Sequence, residues 1–238
     1  MLEHLTRAVL VTAALQAAPA LAAEPAGWVA LFNGRDTAGW HALALPEISP
    51  EHWQVKDGLL LSLAPSGPHV ANADIVSDGS YSSFELRAEF RLSPGANSGI
   101  KYFLRPDLRA DGGVSSVGYE YQLIDDLAPD AGAGENGARS LASLYDVLPA
   151  AADKPTRPIG EWNEARIVVR GRHVEHWLNG AKVLEFERGS REFRERVAHS
   201  KHRVWPGYGD EAEGPILLQH HGGGVAFRNV AIRPLEVR

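Results

Sequence analysis

FELRAEFRL (residues 84–92) decides the fold class. Phe84, Leu86, Ala88 and Phe90 fall on one face of an extended chain, and Glu85, Arg87, Glu89 and Arg91 fall on the other. That is the alternation of a strand with one side buried and one side wet. The same period runs through SGIKYFL (98–104), GYEYQLI (118–124), ARIVVRG (165–171), HVEHWLNGAKVLEF (173–186), PILLQHH (215–221) and VAFRNVAIRPL (225–235). Asn179-Gly180 interrupts one run and predicts a two-residue hairpin turn. A second hairpin is expected between Trp40 and Leu63, turning at Lys56-Asp57-Gly58. Many short strands separated by Gly, Asn and Pro predict an all-β antiparallel sandwich or jelly roll. RGSREFRERVAHSKHR (188–203) dissents, predicting a short helix with Phe193 and Val197 inward. Its six Lys/Arg, diluted by Glu192 and Glu195, read as a solvated surface.

Composition narrows the chemistry. The 238 residues carry 24 basic and 30 acidic side chains, a formal charge of −6, and no cysteine. An acidic chain is a poor fit to nucleic acid or an anionic membrane as main partner. Without cysteine there are no disulfides, thiolate nucleophiles or cysteine-held metals. Residues 1–23 have one Arg, an apolar run from Ala8 to Leu15, then Pro19 and Ala20-x-Ala22. This predicts a secretory signal, hence a periplasmic or secreted protein. The run is too short for a membrane span. Residues 24–238 are expected to form one domain.

Candidate chemistry concentrates in YEYQLIDD (119–126). Glu120 and Gln122 share a strand face. Asp125, five residues after Glu120, would join them only through a β-bulge. The spacing is similar to the catalytic strand of jelly-roll glucanases, with Gln122 in place of the central acid. Lys101 is expected on a neighbouring strand, balancing the charge of Glu120, with Asn97 just before it. His176 alternates with Val174 and Leu178 and reads as a core histidine or a base. Gln219 and His221 should share a face, with His220 opposite. Trp162, Trp177 and Trp205 are sugar-stacking platforms or core. HGGG (221–224) lacks the G-x-S-x-G partner of a lipase, and neither a P-loop nor H-E-x-x-H occurs.

A run of ordered blocks then goes further: GWVALFNGRDTAGW (27–40), HWQVKDGLLL (52–61), ANSGIKYF (96–103), YEYQLIDD (119–126), SLYDVLP (143–149), GEWNEARIVVRGRHVEHWLNGAKVLEFERGS (160–190) and ILLQHHG–VAFRNVAIRPL (216–235). Together they resemble the 3-keto-disaccharide hydrolase domain family over the whole mature chain. The departure is His220, where the family pattern has Asp before His.

The resemblance implies a concanavalin-A-like jelly roll of two antiparallel sheets. It also implies an exported enzyme acting on a small carbohydrate, a glycoside oxidised to a ketone at C3. Such a substrate can lose its C2 proton to give an enolate and then expel the C1 oxygen by β-elimination, hydration completing hydrolysis. The expected roles are Glu120 or His176 as base and Lys101 or a divalent cation as enolate stabiliser. His221 is the expected proton donor, with Asn97, Gln122, Asp125, Tyr145 and Gln219 contacting the sugar. Two rivals stand beside this expectation: a glycosidase using Glu120 with Asp125, and a lectin-like binder without turnover.

Overall fold

The computed structural model describes residues 26–64, 73–108, 114–127, 135–221 and 223–236. The expected signal segment lies outside them. Among the described residues thirteen strands, all paired antiparallel, make two sheets. The larger runs β11 (Ala181–Glu187), β10 (His173–Leu178), β9 (Trp162–Arg170), β6 (Phe84–Leu92), β13 (Val225–Pro234), β4 (Leu59–Ser62) and β3 (Trp53–Lys56), with β1 (Val29–Ala30) also on β13. The smaller runs β2 (Trp40–Ala42), β5 (Ile75–Ser77), β12 (Leu217–Leu218), β7 (Asn97–Leu108) and β8 (Val114–Ile124). The result is the expected jelly-roll sandwich.

Alternation builds this arrangement directly. In β6 the residues Phe84, Leu86, Ala88, Phe90 and Leu92 enter the core, at 4% exposure or less. Each large apolar side chain so buried contributes about 1.5–3 kcal/mol. Between them, Glu85 pairs with Arg166 and Arg233 on the outward side, and Glu89 with Arg228. Trp162 lies beneath Arg91 and Arg228, at 4.9 and 4.0 Å, and Trp177 beneath Arg166 at 4.5 Å. These two indoles are therefore not core; they back a row of arginines on the large sheet.

Both expected turns form with positive φ at both positions, 48° and 82° at Asn179-Gly180, 53° and 77° at Asp57-Gly58. This is the backbone twist that matches a right-handed hairpin. The second hairpin is shorter than expected. Only β3 and β4 belong to it, and Trp40–Ala42 crosses to the other sheet to pair β5. The dissenting segment forms α1 (Arg191–His199), capped by the Ser190 hydroxyl accepting from the Phe193 amide at 3.1 Å. Phe193 is buried and Val197 packs on the core. A 3-10 turn follows over Lys201–Val204.

Candidate active site

β7 and β8 pair in unbroken register from Asn97↔Ile124 to Tyr102↔Tyr119. One row, Ile100, Tyr102, Tyr119, Tyr121 and Leu123, faces the core, each fully buried. The alternate row, Lys101, Glu120 and Gln122 with Asn97, faces away from it. Lys101 sits opposite Glu120, its Nζ 3.9 Å from Oε2. Gln122 donates through Nε2 to the Asn97 side-chain oxygen at 3.0 Å. Gly99 lies between them for a steric reason: a Cβ there would come within 2.5 Å of the Glu120 carboxylate. Just past the end of β12, the Gln219 amide donates to the Gly99 carbonyl at 3.0 Å, which sets Gln219 beside this row.

The chain after α1 closes a wall over this row. Lys101, Ser116, Gly118, Glu120, Lys201, His202 and Trp205 line a cavity of about 250 Å³. Glu120 is 6% exposed within it. Lys201 is anchored by its amide donating to Asp146 at 2.6 Å, and its ammonium lies 4.0 Å from the Tyr145 ring centre. Loss of hydration, with Lys101 as a like-charged neighbour, lowers the Lys201 pKa despite the opposing pull of Glu120. His202 stacks on Tyr208 at 4.2 Å and donates through Nε2 to the Tyr145 carbonyl at 3.2 Å. Burial, then the charge of Lys201, pushes its pKa down to about 4, so it is neutral at pH 7. Burial, then the charge of Glu120, raises the Tyr145 phenol.

A loop covers the open edge of β8. The Tyr145 amide donates to the Glu120 main-chain carbonyl, the Ala142 amide to that of Gln122, and the Gln122 amide in turn to that of Ser143. Ala142 and Asp146 hold φ of 66° and 61° to do this. For non-glycine residues that conformation costs about 1–3 kcal/mol each and persists only where the surroundings enforce it.

The structure thus brings Lys101, Glu120, Gln122, Asn97, Gln219 and Tyr145 to one side of the small sheet, and corrects three other expectations. His176 is fully buried between the sheets. Its Nδ1 donates to the Ala142 carbonyl at 2.9 Å and its Nε2 accepts from the Tyr102 hydroxyl at 2.8 Å. Burial pushes its pKa to about 4, and it faces away from the trough. Asp125 also lies elsewhere, because the bulge of this strand pair falls at Tyr102/Arg105, where Phe103 has φ 55°, and not between Glu120 and Asp125. Its oxygens accept from the Gly95 and Leu127 amides, at 2.9 and 3.0 Å, tying two turns together. His221 is exposed beyond the end of β12, which stops at Leu218, so strand alternation does not aim it.

His220 faces inward as expected, its ring donating to the Leu63 carbonyl at 2.9 Å and meeting His52 edge-on. Sequence reasoning missed Lys201 and His202. Nothing in a basic run distinguishes a residue that folds back over a sheet from a solvated one. Trp205, one of the three candidate platforms, does border the trough.

The trough sets a carboxylate, two ammonium groups and an indole on one sheet of a jelly roll, and the family this chain matches makes it a carbohydrate-active enzyme of the glycoside hydrolase type. The sequence profile of the "3-keto-alpha-glucoside-1,2-lyase-like domain" matches residues 27–233, and the chain belongs to that family. A 3-keto-disaccharide hydrolase of Bacteroides thetaiotaomicron is 31% identical over 231 residues, 88% of this chain and 79% of that relative. A solved structure from Parabacteroides distasonis, of a protein assigned as a glycosyl hydrolase, superposes with TM-score 0.76 at 31% identity, covering 88% of this chain and 94% of that one. A second from the same organism gives 0.63 at 25% identity, covering 87% and 99%.

Proposed function

We propose that the trough cleaves glycosides carrying a ketone at C3, by C2 proton removal and elimination across C1–C2. The observation that carries this reading is the single carboxylate. A conventional glycosidase needs two carboxyl groups flanking the scissile bond, about 5–9.5 Å apart. Among the described residues that line the trough, Glu120 is the one carboxylate, and Asp125 is tied to backbone amides outside it. Elimination from a ketone needs one base, one electrophile on the enolate oxygen and one proton donor.

Glu120 takes the C2 proton. Lys101, beside it, holds the 3-oxygen as negative charge develops there. The electron pair then forms the C1=C2 bond as the C1–O bond breaks, and the departing oxygen takes a proton from Lys201, whose lowered pKa suits it to give one up. Water adding to the unsaturated 3-keto product restores a 3-keto sugar. Asn97, Gln122 and Gln219 bind sugar hydroxyls, Trp205 offers a ring face, and Tyr145 and His202 hold Lys201 and the wall in place.

Two ammonium groups beside one carboxylate favour lysine over a divalent cation as enolate stabiliser. Among the described residues the His/carboxylate group with ligand-like spacing is His173, Glu175 and Glu185, on the large sheet's edge hairpin. There Lys182 already pairs with Glu175 and Glu185. The sequence of residues 1–23 supports export to the periplasm or beyond.

The test offers purified protein a 3-keto-glucoside and its parent glucoside, each with and without chelator. Release of aglycone from the oxidised compound alone, insensitive to chelator, is expected. Cleavage of the parent at a comparable rate would return the reading to a conventional glycosidase, and saturable binding without release would make the protein a lectin.

A further inference from the structure

Many arginines on the described surface have acidic partners: Arg166 and Arg233 with Glu85, Arg228 with Glu89, Arg139 with Asp146, Arg105 with Glu211, Arg191 with Glu195. Three of those without one gather in a single place. Arg172, Arg188 and Arg194 have no carboxylate within ion-pair distance among the described residues, and all three line one cavity of about 430 Å³. Arg172 and Arg194 converge from opposite elements, the β9–β10 turn and α1. One terminal nitrogen of each lies within 3.6 Å of the spot a Gly189 Cβ would occupy. Arg188 lies beneath, 9% exposed, its guanidinium 3.9 Å over the Phe103 ring and bonded to the carbonyls of Gly171, Gly209 and Glu211. Carbonyls satisfy its donors but leave its charge in place. Asp210 is the one acid lining the cavity, so positive charge remains in excess there, on a chain whose net charge is −6.

Concentrated, unpaired guanidinium groups form a fork for a planar or tetrahedral anion. A second cavity lies between this one and the trough, sharing lining residues with each. Trp205 is a wall of the trough and of this second cavity, about 410 Å³, which shares Arg194 and Asp210 with the arginine cavity. One segment, from α1 to Asp210, contributes to all three.

We infer that the arginine cavity binds the carboxylate or sulfate of an acidic sugar unit on the leaving side of the substrate, beyond Trp205. The substrate class is thus an acidic oligosaccharide; this part of the inference rests on the trough being the place of cleavage.

The experiment has a binding arm and a kinetic arm. Sodium glucuronate, glucose and sodium sulfate are titrated at fixed ionic strength into wild type, Arg172→Ala, Arg194→Ala and Arg191→Ala, each checked by thermal melting. Glucuronate should bind where glucose does not. Arg172→Ala and Arg194→Ala should each weaken it by about 10-fold or more, while Arg191→Ala, on the same helix but paired with Glu195, leaves it unchanged. In the kinetic arm, a 3-keto-oligosaccharide with a uronate on its leaving side should show a lower KM than its neutral counterpart, an advantage lost in Arg172→Ala. Glucuronate bound no better than glucose, or equally by the alanine variants, would overturn the inference. Sulfate binding without any kinetic preference for the uronate substrate would overturn the saccharide assignment. Arginine-dependent glucuronate binding in a protein that cleaves neither substrate would sustain the anion site while removing the proposed catalytic reading.

Discussion

The two faces of the β7–β8 pair are made from alternate residues of the same strands, yet treat polar atoms in opposite ways. Inward, the Tyr102 hydroxyl meets His176 at 2.8 Å, that ring meets a carbonyl at 2.9 Å, and the Tyr119 hydroxyl donates to Gly209 at 3.0 Å. These groups are partnered within the chain. Outward, Lys101 and Glu120 stand 3.9 Å apart, and Lys201 has a ring below it in place of an acid. The inward network specifies a packed core, where an unpaired group would cost about 1–3 kcal/mol. The outward row keeps charge close but unspent, and the proposed elimination draws on that charge.

Exchanging the chemistry of the two faces one residue at a time should therefore produce effects of different kinds. The largest is expected for Glu120→Gln, which preserves shape and removes the proposed base: turnover of a 3-keto-glycoside should fall about 10²–10⁴-fold with the melting temperature little changed. Lys101→Met should follow with a loss of about 10²–10³-fold, carried in kcat, as for removal of an oxyanion donor. On the other face, His176→Phe leaves the Tyr102 hydroxyl and the Ala142 carbonyl unpaired. Denaturant titration should find it about 1–3 kcal/mol less stable, with kcat/KM per folded molecule unchanged; a catalytic defect in this folded variant would put His176 back among the bases.

Acid should sharpen the same contrast. His176 and His202 have pKa values near 4 in the folded chain, against about 6.5 when unfolded. The unfolded chain therefore binds more protons between these values. Stability is fully present above about pH 6.5 and declines toward pH 4, by about 1.4 kcal/mol per pH unit for each histidine once below 6.5. Unfolding titrations at pH 7 and 5 read this slope, and His176→Phe should reduce it. The smallest effect belongs to Gly99→Ala, whose methyl group would press on the Glu120 carboxylate. A turnover loss of about 10-fold from a displaced base is expected.

Much of this was legible before any coordinates. Strand alternation in FELRAEFRL and its companions predicts the sandwich, and Asn179-Gly180 and Asp57-Gly58 supply the turns. The pairing of Lys101 with Glu120 follows from period two once β7 and β8 are neighbours. The reading failed where that period stops carrying information. Asp125 and His221 lie beyond the ends of their strands, where parity no longer aims a side chain. His176 was open between core and site because alternation gives a face but not which sheet lies against it. Lys201 and His202 depend on the path of the chain after α1, a tertiary fact. The strained loop at Ala142 and Asp146 likewise exists because β8 needs its edge covered.

The most direct test of the trough's chemistry is a single-turnover comparison of a 3-keto-glucoside carrying hydrogen or deuterium at C2. Removal of that proton by Glu120 predicts a primary isotope effect on aglycone release and, in Glu120→Gln, loss of the release itself. Release at equal rates from both isotopologues, undiminished in the variant, would contradict it.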